Sequence, residues 1–192
     1  MGIMKHRLVT AAPTFVAFCF IAGNIGLIVR HGIHPNLETA VGLLWIAGSY
    51  ALHFRHHHPV LAPRLNSAGI ALGSVCLALS GIHPNFIDWH RVRTPLGYIP
   101  AAALVGFQHE LRQAGHRLAA STHLLARVCG AILTRPFALS AAINAYAVVE
   151  LALSAITTHD PGLLAIAASY GVASLAMPLL DETRQEPFQS EM

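Results

Sequence analysis

Charge is what this 192-residue sequence has least of. Only 11% of its residues are charged, while 54% are hydrophobic and the mean hydropathy is +0.53. Soluble domains carry about 25% charged residues, so this chain could not cover a globule with polar surface. Membrane embedding is the economical reading. The formal net charge is +3 and the basic residues are scattered, so no Lys/Arg-rich block supports a nucleic-acid partner. Cysteine is scarce as well. Cys19, Cys76 and Cys129 fall in apolar runs without C-x-x-C spacing and read as packing residues.

Catalytic signatures are also missing. There is no P-loop, no dinucleotide fingerprint and no G-x-S-x-G. His109-Glu110 begins like H-E-x-x-H, but the next histidine is His116, and zincin geometry needs the second one four residues on. Hydrolysis and phosphoryl transfer lack support, and the chain reads as non-enzymatic.

Long apolar runs are what the sequence has instead. Lys5 and Arg7 precede a stretch that continues to Val29, too long for a signal-peptide core and without a clear cleavage site. It is expected to stay as the first membrane helix. Hydropathy gives six spans near 8–29, 37–54, 65–83, 95–110, 136–158 and 162–180, with a polar tail over 182–192. The fourth is short and broken by Pro100. The expected fold is therefore an all-α polytopic bundle in a single domain, 1–181, built as three outward-tipped hairpins.

Residues 112–133 follow a different pattern. Leu118, Leu125 and Ile132 recur at seven-residue steps. Arg112, His116, His123 and Arg127 fall within about 60° of one another at about 100° per residue. This predicts an amphipathic interfacial helix with its basic face toward lipid headgroups. The alternative is a longer fourth helix projecting from the membrane.

Orientation follows from Lys and Arg. With the N-terminus inside, the inner segments hold Lys5, Arg7, Arg55, Arg64, Arg112, Arg117, Arg127, Arg135 and Arg184. The outer segments hold only Arg30, Arg91 and Arg93. This bias places both termini in the cytoplasm of a cell whose inner (plasma) membrane holds the protein.

GIHPN occurs twice, at 32–36 and 81–85, and both copies then fall at outer tips, with THDPG (158–162) as a looser third. Proline has no N–H and suits the first turn of the next helix, and the residue before it leaves the helical region. The repeat suggests that the first two hairpins are duplicates. Gly69/Gly73, Ala22/Gly26, Ala138/Ala142 and Ala167/Gly171 are small-xxx-small pairs that let helices approach closely. They suit packing within the bundle, against a second copy, or against another membrane protein.

Glu150 lies deep in the fifth span, where a carboxylate is costly and usually faces protein or water. Tyr146 and Ser154 are on the same helix face, and Asn24 has a comparable depth in the first span. Together they suggest an outward polar pocket for a small solute or cation. The structural alternative is a Glu150 that only ties helices together. Histidines His31, His34, His83, His90 and His159, with Glu38, Asp88 and Asp160 nearby, are metal-compatible but lack ligand spacing. The run Arg55-His56-His57-His58-Pro59 is expected to be a solvated helix end. Two histidine pairs, His53/His109 and His34/His83, sit where b-type haem could be held between helices. No motif requires a cofactor, so haem and metal remain alternatives. The expected function is transport or conduction of a small solute. An accessory or sensing subunit is the first rival, and a haem electron-transfer protein the second.

Overall fold

The computed structural model describes residues 2–32 and 36–182. They form α1 (Gly2–His31), α2 (Leu37–Ala51), a 3-10 segment (Leu52–His56), α3 (Leu61–Leu79), α4 (Trp89–Leu96) and α5 (Tyr98–Gly106). These are followed by α6 (Gln108–Ala119), α7 (Leu124–Leu133), α8 (Pro136–Thr157), α9 (Pro161–Ala176) and α10 (Leu179–Glu182). Among the described residues the only β pairing is an isolated bridge, Ile82 to Ile87. The protein is all-helical. Four segments, Leu8–Arg30, Leu61–Leu79, Pro136–Thr157 and Pro161–Glu182, are long and apolar enough to cross a membrane.

The helix starts follow local chemistry. Asn36 caps α2 by accepting the Thr39 N–H, and Asp160 caps α9 by accepting that of Leu163. Pro136 and Pro161 stand at the first helical positions of α8 and α9, where a missing N–H costs nothing. The proline logic therefore holds at the THDPG tip. It fails at the second GIHPN copy. There the His83 N–H donates to the Phe86 carbonyl and the Asp88 N–H to that of Gly81. The chain makes a tight β turn and the next helix waits until Trp89, so Pro84 opens no helix. In the first copy, Ile33, His34 and Pro35 lie outside the described residues.

Six helices, α1, α2, α3, α5, α8 and α9, pack in that order as a ring, with α9 closing onto α1. Backbones touch where side chains are smallest. A Cβ on Gly69 would lie 2.9 Å from the Leu44 carbonyl oxygen and 3.0 Å from Gly48 Cα. Gly26 lies against Ile166, Gly73 against Trp45 and Gly171 against Val148. The small-residue steps of the sequence are thus used inside the chain, joining α1 to α9, α2 to α3 and α8 to α9. The ring has two ends. The tip end carries the connection into α2, the 80–88 turn and the α8–α9 turn. The basal end carries the start of α1, residues 57–60 and the α6–α7 pair.

Two expectations are refined here. The fourth span is broken, as its proline suggests, but not at Pro100. Pro95 lies inside α4, Pro100 in the first turn of α5, and Phe107 (φ −99°, ψ 21°) breaks the chain before α6. The stretch 112–133 is likewise not one helix but a hairpin of α6 and α7 joined by 120–123. Gly115 and Gly130 form its crossing: a Cβ on Gly130 would fall 2.4 Å from Ala119 N and 2.6 Å from the Gly115 carbonyl oxygen. No side chain longer than hydrogen fits there.

The exterior carries many large apolar side chains, and several polar groups lie inside. Leu175 is 83% exposed and Phe18 67%, whereas Asn24, Ser49, Asn66, Gln108 and Ser140 are buried. That distribution suits a hydrocarbon solvent, against which an apolar outer face needs no hydrogen-bond partners.

Candidate functional site

The ring encloses a cavity of about 380 Å³. Its floor, toward the basal end, is Leu52, Val105 and Met177, all buried and part of the main hydrophobic cluster with Phe137 and Leu180. Its lining reaches the surface at the tip end through exposed Glu38 in the first turn of α2. Between floor and mouth the walls are mostly apolar, and the polar groups with unspent hydrogen-bonding capacity fall in a band contributed by α1, α8 and α9.

Asn24, Tyr170, Asn144 and Ser174 make that band. Tyr170 donates its hydroxyl proton to Asn24 Oδ1 at 2.7 Å, and Asn24 Nδ2 donates to the Phe20 carbonyl at 2.9 Å. This fixes Asn24 from both sides. Asn144 Nδ2 contacts only Met177 Sδ, at 3.7 Å, so its carbonyl oxygen keeps its acceptor capacity among the described residues. Ser174 Oγ is buried against the cavity with no hydrogen-bond partner. A buried hydroxyl left unpaired costs roughly 1–3 kcal/mol, which a ligand or water in the cavity would offset.

Other polar lining groups are already committed. Trp45 Nε1 donates to the Ile70 carbonyl, Asn66 Nδ2 to that of Gly48, and Ser140 Oγ to that of Ala101. These bonds tie α2 to α3 and α5 to α8, and so hold the walls. Two aromatic pairs flank the space. Phe20 and Tyr170 have ring centroids 5.9 Å apart, and Trp45 and Tyr98 5.7 Å apart at 68°.

Below the floor lies a second polar assembly. Arg55 is buried, donates to the Leu180 carbonyl at 2.8 Å and to Gln108 Oε1 at 3.4 Å, and stacks over the Phe137 ring at 4.5 Å. Gln108 Nε2 donates to the Pro59 carbonyl. Arg112 pairs with Asp181 at 2.7 Å, and Asp181 also accepts the N–H groups of Phe137 and Ala138 at the start of α8. The carboxylate thus caps a helix whose own N-cap position, Arg135, has no side-chain acceptor. At the opposite end Arg30 pairs with Asp160 across α1 and α9. The Leu163 N–H and then Arg30 hold the Asp160 carboxyl below the usual aspartate range.

The residues singled out in the sequence divide between these places. Asn24 lies in the cavity band. Tyr146 and Glu150 are joined by a 2.6 Å hydrogen bond, but Tyr146 is 66% exposed and neither lines the cavity. Ser154 is exposed one turn further, its carbonyl accepting from the hydroxyls of Thr157 and Thr158. Of the basic set, His116, His123 and Arg127 are exposed on the α6–α7 hairpin. Arg112 is not: it turns inward, because Asp181 and the Phe137 ring supply a charge partner and a π face there.

His53 Nδ1 lies 3.0 Å from Thr14 Oγ1 and its ring stacks on Tyr50. His109 Nε2 lies 3.0 Å from Gln113 Nε2 on its own helix. His83 stacks on Phe86, and His34 lies outside the described residues. Among the described residues no group of three or more His, Cys, Asp or Glu side chains is placed to share a metal ion. Tyr170, Asn144 and Ser174 drew no notice in the sequence. Tyr170 and Ser174 share an i, i+4 face of the last span, while Asn144 lies on α8 with no such spacing to them.

No protein-family model matches the chain, and comparisons with curated proteins and with solved structures find no match.

Proposed function

We propose that this is a multi-pass, non-enzymatic membrane protein that takes a small solute into the cavity of its six-helix ring, as a transporter or conducting protein. The single observation carrying this reading is the cavity itself. It is a space of about 380 Å³ within a bundle whose outer surface is apolar, lined by groups of unspent hydrogen-bonding capacity. Ligand pockets run from about 300 to 1,000 Å³ and are mostly apolar with a few placed polar groups. Membrane transporters commonly hold their sites at mid-depth between helices with broken or short segments. The α4–α5–α6 region has that character.

The proposal includes six spans. α2 with its 3-10 continuation covers 20 residues, 37–56, or about 32 Å at roughly 1.5 and 2.0 Å per residue. α4 and α5 together cross beside α3 and α8. The positive-inside bias assigns the basal end to the cytoplasm of the inner membrane, so the cavity mouth faces out. The exposed His116, His123 and Arg127 then meet the inner headgroup layer.

Ser174→Phe tests the reading. It removes no hydrogen bond and places a ring in the cavity. The variant is expected to insert and to keep its helical content. It should lose the host phenotype and any small molecule that native mass spectrometry finds on the wild type. A folded Ser174→Phe protein with unchanged phenotype and unchanged bound species would overturn the proposal.

A further inference from the structure

The solute-pocket reading leaves open what the pocket selects, and its lining is electrostatically one-sided. Among the described residues no Lys, Arg or His side chain lines the cavity, and the single formally charged lining group is the Glu38 carboxylate at the mouth. Four aromatic rings, Phe20, Trp45, Tyr98 and Tyr170, face the same space from two arcs of the ring. Aromatic faces carry negative electrostatic potential and attract cations within about 6 Å. The unspent polar atoms include three acceptors: Ser174 Oγ, the Asn144 carbonyl oxygen, and the lone pairs of a Tyr170 hydroxyl whose proton already goes to Asn24.

Each element disfavours one ligand class. An anion would find no cationic lining group among the described residues and a carboxylate at the entrance. A metal ion would find no cluster of carboxylates or imidazoles among the described residues. A neutral apolar molecule would leave Ser174 Oγ unpaired. An ammonium group, which only donates, matches the acceptors, the rings and the carboxylate together. Its organic part would rest on the apolar walls. Arg55 lies behind Phe137 and Leu52 on the far side of the floor. Its positive charge opposes a cation at the floor itself, so the ammonium sits between Ser174, one turn above Met177, and the Tyr170 hydroxyl one turn higher.

We infer that the cavity binds a small organic monocation, an amine with an apolar or aromatic body, entering past Glu38. This rests on the solute-pocket reading above.

Three probes of one shape and different charge decide it: benzylammonium, benzyl alcohol and benzoate. Trp45 lines the cavity and reports binding by fluorescence once the other tryptophan is removed as Trp89→Phe. The full-length protein is titrated in a non-ionic detergent at neutral pH. Benzylammonium is expected to bind at least tenfold more tightly than benzyl alcohol, with no saturable binding of benzoate. Glu38→Gln should shrink that preference several-fold, and Ser174→Phe should abolish binding. Benzyl alcohol binding as tightly as benzylammonium, or a preference untouched by Glu38→Gln, would overturn the cation assignment while leaving a solute pocket. Absence of saturable binding for all three probes in folded protein would sink both this inference and the pocket reading.

Discussion

At the scale of single residues, the bond between Tyr170 and Asn24 joins stability to function. It crosses from α9 to α1 at the level of the cavity and orders the side chain that presents the polar band. Removing the hydroxyl leaves Asn24 Oδ1 without its donor in a buried site. Interhelical hydrogen bonds in membrane proteins average about 0.6 kcal/mol and reach about 1.7 kcal/mol, and an orphaned buried acceptor sits at the upper end of that range. Tyr170→Phe should therefore destabilise the protein by about 1–2 kcal/mol, read from reversible unfolding in mixed detergent micelles. A change within about 0.3 kcal/mol would mean that the acceptor finds water or another donor. Residue-level chemistry was only partly legible in the sequence. Asn24 stood out because polar residues are rare in apolar runs. Glu150 stood out for the same reason, yet it faces Tyr146 on the outer side of α8. Hydropathy gives depth along a helix but not which way a side chain points.

At the scale of elements, breaks and crossings decide what the chain can build. Glycines at 115 and 130 permit α6 to fold back on α7 as a hairpin. Gly130→Ala places a methyl group against backbone atoms of Ala119 and Gly115 that cannot rotate away. Overpacking of this kind costs about 1–3 kcal/mol, so the variant should lose thermal stability clearly. Gly162→Ala, whose Cβ meets only the Asp160 side chain at 3.2 Å, should change it little. Equal Tm values for the two variants would contradict the crossing. Helix starts at the edges of apolar runs were legible: the spans expected from residues 37, 136 and 162 begin at Leu37, Pro136 and Pro161. The α6–α7 hairpin was not. Its heptad-like leucines and its basic face read as one continuous helix, because periodicity cannot see a backbone reversal at Ala120–His123.

For the whole molecule, the ordering of polar and apolar groups is the feature that ties sequence to function. The chain has too little charge for a soluble surface, and the fold turns that shortage outward as an apolar exterior and inward as a lined cavity. Hydropathy could predict the first but not the second. The ring closes only because α9 returns to α1, through contacts such as Tyr170–Asn24, 146 residues apart, that leave no local sequence pattern. The cavity floor and the Arg55–Gln108–Leu180 assembly beneath it have the same origin. They gather residues from three stretches far apart in the sequence: Leu52 with Arg55, Val105 with Gln108, and Met177 with Leu180. The claim that unites these levels is that the cavity opens at the tip end, outside the cell, and is sealed at the basal end.

Cysteine accessibility tests that claim most directly. In a background without Cys19, Cys76 and Cys129, single cysteines are placed at Glu38, Asn144, Ser174 and Leu180. Intact cells are then treated with a small impermeant methanethiosulfonate carrying a positive charge. Modification is predicted at Glu38, Asn144 and Ser174, fastest at Glu38, with Leu180 protected below the floor. Protection of Asn144 and Ser174 while Glu38 reacts would mean a closed core, and labelling only after the cells are opened would mean that the mouth faces the cytoplasm.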